Sequence, residues 1–157
     1  MRMPNVALLD TNVLLLWLVG LTDPSLFITF KRVDVFSPDD FKLLAQLLKR
    51  FQKLISTPHV LAEVSNFVDQ APQHRRRELV ASLRTFAQQN KEHYEAAITL
   101  TRRDEFAALG LTDTGLAALS AEAVVITTDF HLSARIVTLG GHVLNFNHHR
   151  STYLVSR

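Results

Sequence analysis

Cysteine is absent from the sequence. That single absence excludes disulfide scaffolds, thiolate zinc sites, iron–sulfur clusters and Cys nucleophiles. Long apolar runs are absent as well. The longest, Val13 to Leu21, falls far short of the ~18 residues a membrane span requires. The amino terminus, MRMPNVALLDTN, meets Asp10 before a signal-peptide apolar core can form, so a cytoplasmic protein without membrane association is expected. Several catalytic signatures are missing too. Neither G-x-x-x-x-G-K-[ST] nor G-x-G-x-x-G occurs, which removes P-loop and dinucleotide-binding chemistry. H-E-x-x-H and G-x-S-x-G are likewise absent, which removes the zinc-protease and nucleophile-elbow readings. Phosphoaspartyl enzymes want a second Asp two residues after the first, where this chain has Asn12. They and receiver domains also want a late lysine, and no lysine follows Lys91.

What is present is an ordinary globular composition: 157 residues, 47% hydrophobic and 20% charged. That argues against a disordered chain. One domain over residues 1–157 is expected, on the usual size of domains, and a chain of this length buries roughly 68–70% of its unfolded surface. The formal net charge is only +2, yet the pI is about 9.2. The basic residues are grouped: Lys31-Arg32, Lys49-Arg50 with Lys53, Arg75-Arg76-Arg77, and Arg102-Arg103. Such groups meet a polyanion or form solvated helix faces, and charge alone leaves both readings open.

Short apolar runs alternate with longer helical stretches, the pattern of an α/β domain with a mostly parallel sheet. Val6 to Leu9 and Val124 to Thr127 read as strands buried on both faces. Val13 to Val19 is a helix apolar nearly all round, and 21–36 is irregular around the Asp23-Pro24 turn. Ser37, Pro38 and Asp40 open a helix with a capping-box spacing. A short strand at Leu54 to Ser56 precedes a helix that Thr57 caps, with Pro58 at its first position and Val60, Val64 and Phe67 on one face. A helix from about Arg75 to Gln88 points Leu79, Leu83 and Phe86 inward. Glu92 to Leu100 reads as a strand around Tyr94 to Ile98 or as helix. Gly110 ends one helix and Thr112 caps another that starts at Asp113. Gly140-Gly141 precede a last strand, His142 to Phe146, and His148-His149 read as a solvated tail.

Two aspartates stand at equivalent points: Asp10 ends VALLD and Asp129 ends VVITTD, each before a helix. Open parallel sheets bind ligands outside the carboxyl ends of their strands, although Asp is also a favoured helix N-cap. Glu63 borders the apolar face of its helix. An ionised carboxylate there is paired, binds a cation, or snorkels to solvent. Asp113 falls in the first turn of its expected helix, where the dipole favours a negative charge. Four acids from four elements, with no evident internal cation to match them all, suit a hard divalent ion, Mg²⁺ or Mn²⁺, which takes oxygen ligands and keeps several waters.

These residues resemble the PIN-domain family, metal-dependent nucleases that include the ribonuclease toxins of bacterial toxin–antitoxin pairs. The resemblance rests on LLDTNVLLLWL, TPHVLAEVSN, LGLTDTGLAALS and VVITTDFHL in that order, and covers most of the chain. It implies a parallel sheet between helical layers, an α/β/α sandwich. It assigns Asp10, Glu63, Asp113 and Asp129 as the acidic catalytic and metal-ligating residues, with Asn12 and Thr127 in support. The implied activity is hydrolysis of single-stranded RNA with Mg²⁺ or Mn²⁺ as cofactor. Implied partners are the RNA, an antitoxin that blocks the site with a cationic side chain, and a second copy in a homodimer. The Phe-rich stretch Leu26 to Phe36 and the Phe41–Phe51 helix are either the dimer patch or core closure. The 21–53 segment is longer than in the smallest toxins, and Phe130-His131 after the last Asp differs from commoner toxin sequences. A non-catalytic RNA-binding module and a DNA nuclease of the same metal chemistry are the alternatives, and no base-stacking motif is recognisable in the sequence.

Overall fold

The computed structural model describes residues 2–156. Its centre is a five-stranded, all-parallel sheet of order β3-β2-β1-β4-β5. The strands are β1 (Val6–Leu9), β2 (Lys53–Ser56), β3 (Lys91–Glu92), β4 (Val124–Thr127) and β5 (Val143–Asn145). Strands β1 and β4 are the central pair in burial as well as position: Ala7, Leu8 and Leu9 are buried, and so is every residue of β4. A strand covered on both faces cannot alternate polar and apolar residues, which is why both read as continuous apolar runs.

Each parallel connection crosses over through helix. Between β1 and β2 run α1 (Thr11–Thr22), the single turn α2 (Leu26–Thr29) and α3 (Pro38–Leu48). Helices α4 (Pro58–Val68) and α5 (Gln73–Gln89) lead to β3. The one-turn α6 (Ala97–Leu100) and α7 (Phe106–Leu119) lead back to β4, α8 (Phe130–Thr138) leads to β5, and α9 (Phe146–Val155) follows. Right-handed crossovers that run in opposite directions along the sheet, β1→β2→β3 and β3→β4→β5, put their helices on opposite faces. In accord with this, α1 packs on α3, α4 and α5, while α7 packs on α8. The result is a three-layer α/β/α sandwich.

The local chemistry of the helix starts matches the sequence. Ser37 accepts from the Asp40 N–H at 3.3 Å while the Asp40 carboxylate accepts from the Ser37 N–H at 2.9 Å, a complete capping box. Thr57 accepts from the Val60 N–H at 3.2 Å, with Pro58 behind it.

Four expectations are corrected. No strand forms at 94–98: pairing on β2 ends with Ser56 opposite Glu92, and the chain then turns into α6. Thr112 caps nothing, because α7 runs through it and breaks only at Gly110, which takes φ 77° and ψ 179°. Phe146 is not a strand residue but the first residue of α9, fully buried. His148 and His149 therefore sit on a helix rather than in a solvated tail, and the His149 ring lies 6.4 Å from that of Phe146. Burial first, and Arg50 second, hold its imidazole below the usual histidine range.

The Phe-rich region closes the core. Phe27, Phe30, Val33 and Phe36 are buried, and Phe41 and Phe51 pack against the same cluster. Those rings are therefore drawn into the core. Arg150 of α9 ties the region down by donating to Asp40 at 2.8 and 3.0 Å and to the Val35 carbonyl at 2.8 Å, with its guanidinium 5.1 Å from the Phe36 ring centre. Among the described residues, no helix is long and apolar enough to cross a membrane.

Candidate functional site

From β1 the chain builds the sheet outward through β2 and β3, then returns to place β4 on the other side of β1. The strand order reverses between β1 and β4, and a crevice opens at such a reversal beyond the carboxyl ends of the strands. Asp10 stands there directly after β1, and its N–H still donates to the Ile126 carbonyl of β4 at 3.0 Å. The sheet pairing thus extends to the residue that carries the carboxylate, which fixes its backbone.

Asp10 is 8% exposed, and both of its oxygens are engaged. Oδ1 accepts from the Thr11 N–H at 2.7 Å as the N-cap of α1, and Oδ2 accepts from the Thr127 hydroxyl at 2.5 Å. The Thr127 oxygen in turn accepts from the Asp129 N–H at 2.9 Å. Asp129 caps α8 by accepting from the Leu132 N–H at 3.0 Å. The capping reading and the site reading are therefore compatible at both aspartates. Capping uses one oxygen and orients the other.

Glu63 is half-buried on α4 and accepts from the Thr11 hydroxyl at 3.1 Å. Among the described residues it makes no ion pair with a basic side chain. Asp113 is half-buried on α7, one turn after the break at Gly110. Among the described residues its carboxylate has no hydrogen-bond or ion-pair partner; burial first, then Asp10, Asp129 and Glu63, push it up to about 7. Burial also raises Asp10, with Asp129 and Glu63 adding to it, against the hydrogen bonds from Thr127 and Thr11. The structure thus brings all four acids within electrostatic reach of one another. They do not touch as a set: among the described residues, no three carboxylate or imidazole groups converge closely enough to hold a metal ion together.

A comparison inside the molecule sharpens the point. Glu105, as buried as Asp10, sits 3.2 Å from Arg103 and 3.7 Å from Arg135. The fold neutralises that acid with two guanidinium groups and so ties the start of α7 to α8. No such pairing serves the four crevice acids among the described residues. Clustered buried charge without a counter-charge costs stability, and a divalent cation removes that cost. Oxygen-only donors fit Mg²⁺ or Mn²⁺.

Of the two supporting residues, Thr127 is joined to both Asp10 and Asp129. Asn12 is exposed, and its side chain makes no hydrogen bond among the described residues. The residue beside it, Thr11, is buried and holds Glu63. The sequence does not single out Thr11, because α1 is apolar nearly all round and offers no clean stripe. The spacing Thr11, Leu14, Leu15, Leu18 is the one available signal, since it puts Thr11 on a buried face. Glu105 is equally unmarked, because sequence spacing points to neither of its partner arginines.

A cavity of about 450 Å³, lined by Trp17, Leu21, Leu54 and Phe86 among others, has no carboxylate in its wall. No family model matches the chain, and no curated protein and no solved structure is significantly similar to it.

Proposed function

We propose that this chain is a PIN-like, divalent-metal-dependent endoribonuclease that hydrolyses phosphodiester bonds of single-stranded RNA. The observation that carries the reading is that Asp129 and Glu63 raise the charge cost of both Asp10 and Asp113 from separate elements about the β1/β4 crevice, with no cationic side chain paired to these acids among the described residues. The order and spacing of the blocks that hold these acids support it independently.

In this reading Asp10, Asp113 and Asp129 would hold Mg²⁺ or Mn²⁺, which when bound would supply an activated water and offset charge on the phosphoryl oxygens. The chain's own groups do the positioning. Thr127 aims Asp10 and steadies the Asp129 backbone. Thr11 steadies Glu63, which would ligate the ion directly or orient the water. Asp113, whose carboxyl burial and the neighbouring acids push up to about 7, would have to lose its proton to serve as a ligand. The same charge deficit would draw in an arginine from an antitoxin, which competes with metal through bidentate pairing.

The test is cleavage of a labelled single-stranded RNA and of the matched DNA. RNA cleavage should need Mg²⁺ or Mn²⁺, stop in EDTA and fall to background in Asp129→Asn. Full-rate cleavage in chelator overturns the metal chemistry. Cleavage of DNA alone makes the protein a DNA nuclease, and metal-independent RNA binding without any cleavage makes it a binding module.

A further inference from the structure

The chain has ten Phe, one Trp and two Tyr, and the fold hides nearly all of these rings. Nine of the ten Phe, Trp17 and Tyr153 are buried or half-buried. Two aromatics are exposed: Phe130 at 67% and Tyr94 at 73%. Single exposed apolar residues are ordinary on protein surfaces. The position of these two is not. Phe130 directly follows Asp129 at the end of β4, and Tyr94 lies two residues beyond the end of β3. Both stand at the carboxyl edge of the sheet, where the acids are. In the order β3-β2-β1-β4, Tyr94 lies on one side of Asp10 and Phe130 on the other.

Phe130 is also pre-set. It is the first residue of α8, fixed by the Asp129 cap, and its ring meets His131 edge-on, with centres 6.0 Å apart and planes at 73°. Most of the ring's surface is open to solvent. Neither ring closes a core or reaches a cap, so folding gives no reason for either.

We propose that Phe130 and Tyr94 are stacking platforms for unpaired bases on either side of the phosphodiester at the acid crevice, and that they set a preference for single-stranded RNA. Every base offers a π-face, so this contact accepts many sequences, and alanine replacement of such a ring typically costs about 1–3 kcal/mol per base. Bases inside a duplex are stacked on each other and unable to reach such a platform. The inference rests on the nuclease reading but concerns a different step, because neither ring belongs to the acid set.

The experiment measures binding and cleavage separately. Binding uses full-length protein in EDTA with a single-stranded RNA carrying 2-aminopurine, whose fluorescence is quenched on stacking. Phe130→Ala and Tyr94→Ala should each weaken affinity by about tenfold and reduce the quench. Phe130→Trp should keep both, and Phe130→Leu, apolar without a π-face, should behave as Phe130→Ala. Weak binding of the matched duplex should not change in any variant. In Mg²⁺ the alanine variants should raise KM for the single strand with little effect on kcat. Unchanged affinity and quench in both alanine variants, with cleavage still dependent on Asp129, overturns the stacking proposal and leaves the nuclease reading intact. Failure of the wild-type protein to bind or cleave any single strand overturns both.

Discussion

At Thr127 one hydroxyl serves two acids, donating to Asp10 and accepting from the Asp129 backbone. Thr127→Val keeps the shape and removes that function. It leaves a buried carboxylate oxygen and an N–H without partners, a loss of about 1–3 kcal/mol. It also takes away the strongest influence holding the Asp10 carboxyl down. Cleavage should fall about 10- to 100-fold, the usual effect of losing a group that orients a metal ligand. Thr127→Ser should recover most of it. Urea midpoints and single-turnover rates on the three proteins check both halves. Asn12, by contrast, is exposed and makes no side-chain hydrogen bond among the described residues, so Asn12→Ala should leave stability unchanged.

At the scale of elements, helix starts carry the site. Asp129 is at once the N-cap of α8 and a crevice acid, and two substitutions separate the roles. Asn caps as well as Asp does, whereas Ala loses about 1 kcal/mol. Asp129→Asn should therefore keep the wild-type urea midpoint and Asp129→Ala should not, while both lose cleavage. The break in α7 works differently. At φ 77° and ψ 179° Gly110 occupies backbone space that L-residues rarely enter, although a Cβ there would meet nothing within 4 Å. Gly110→Ala should cost about 1–3 kcal/mol through the backbone alone, read as a lowered midpoint in denaturant. Because the break sets the direction of the helix that bears Asp113, cleavage should fall with it.

For the whole molecule, the charge cluster makes stability depend on pH and metal together. The folded protein holds the Asp113 proton up to about pH 7, against an ordinary value of 3.8. Between those values folded Asp113 binds more proton than it does in the unfolded chain, so its contribution to stability is greatest at low pH and falls as pH rises toward 7. Asp10, raised as well, has the same sign. In EDTA the wild-type protein should unfold at lower urea at pH 7.5 than Asp113→Asn does. At pH 5 that difference should shrink. Mg²⁺ at pH 7.5 should raise the wild-type midpoint, because a ligand that binds only the folded state stabilises it. An equal gap between the two proteins at both pH values would remove Asp113 from the cluster.

Local physics makes much of this chain legible in its sequence. Buried strands need continuous apolar runs, helix starts need a side-chain acceptor, and left-handed backbone needs glycine. Those rules are enough to find β1, β4, the Ser37 and Thr57 caps and the break at Gly110. The four acids are visible because each stands at a strand end or a helix start or face, the points where local signals are strongest. What depends on distant partners is not visible. The β3 edge is two residues paired on β2, too short for periodicity to register. Thr11 gains its role from Glu63, 52 residues away, and Thr127 from Asp10, 117 residues away. Only the crossover order, which returns the chain to lay β4 against β1, decides that these groups meet and that Phe130 and Tyr94 share an edge with them. A side chain's chemistry is local, but its pKa, its partner and its neighbours are set by what the fold brings to it.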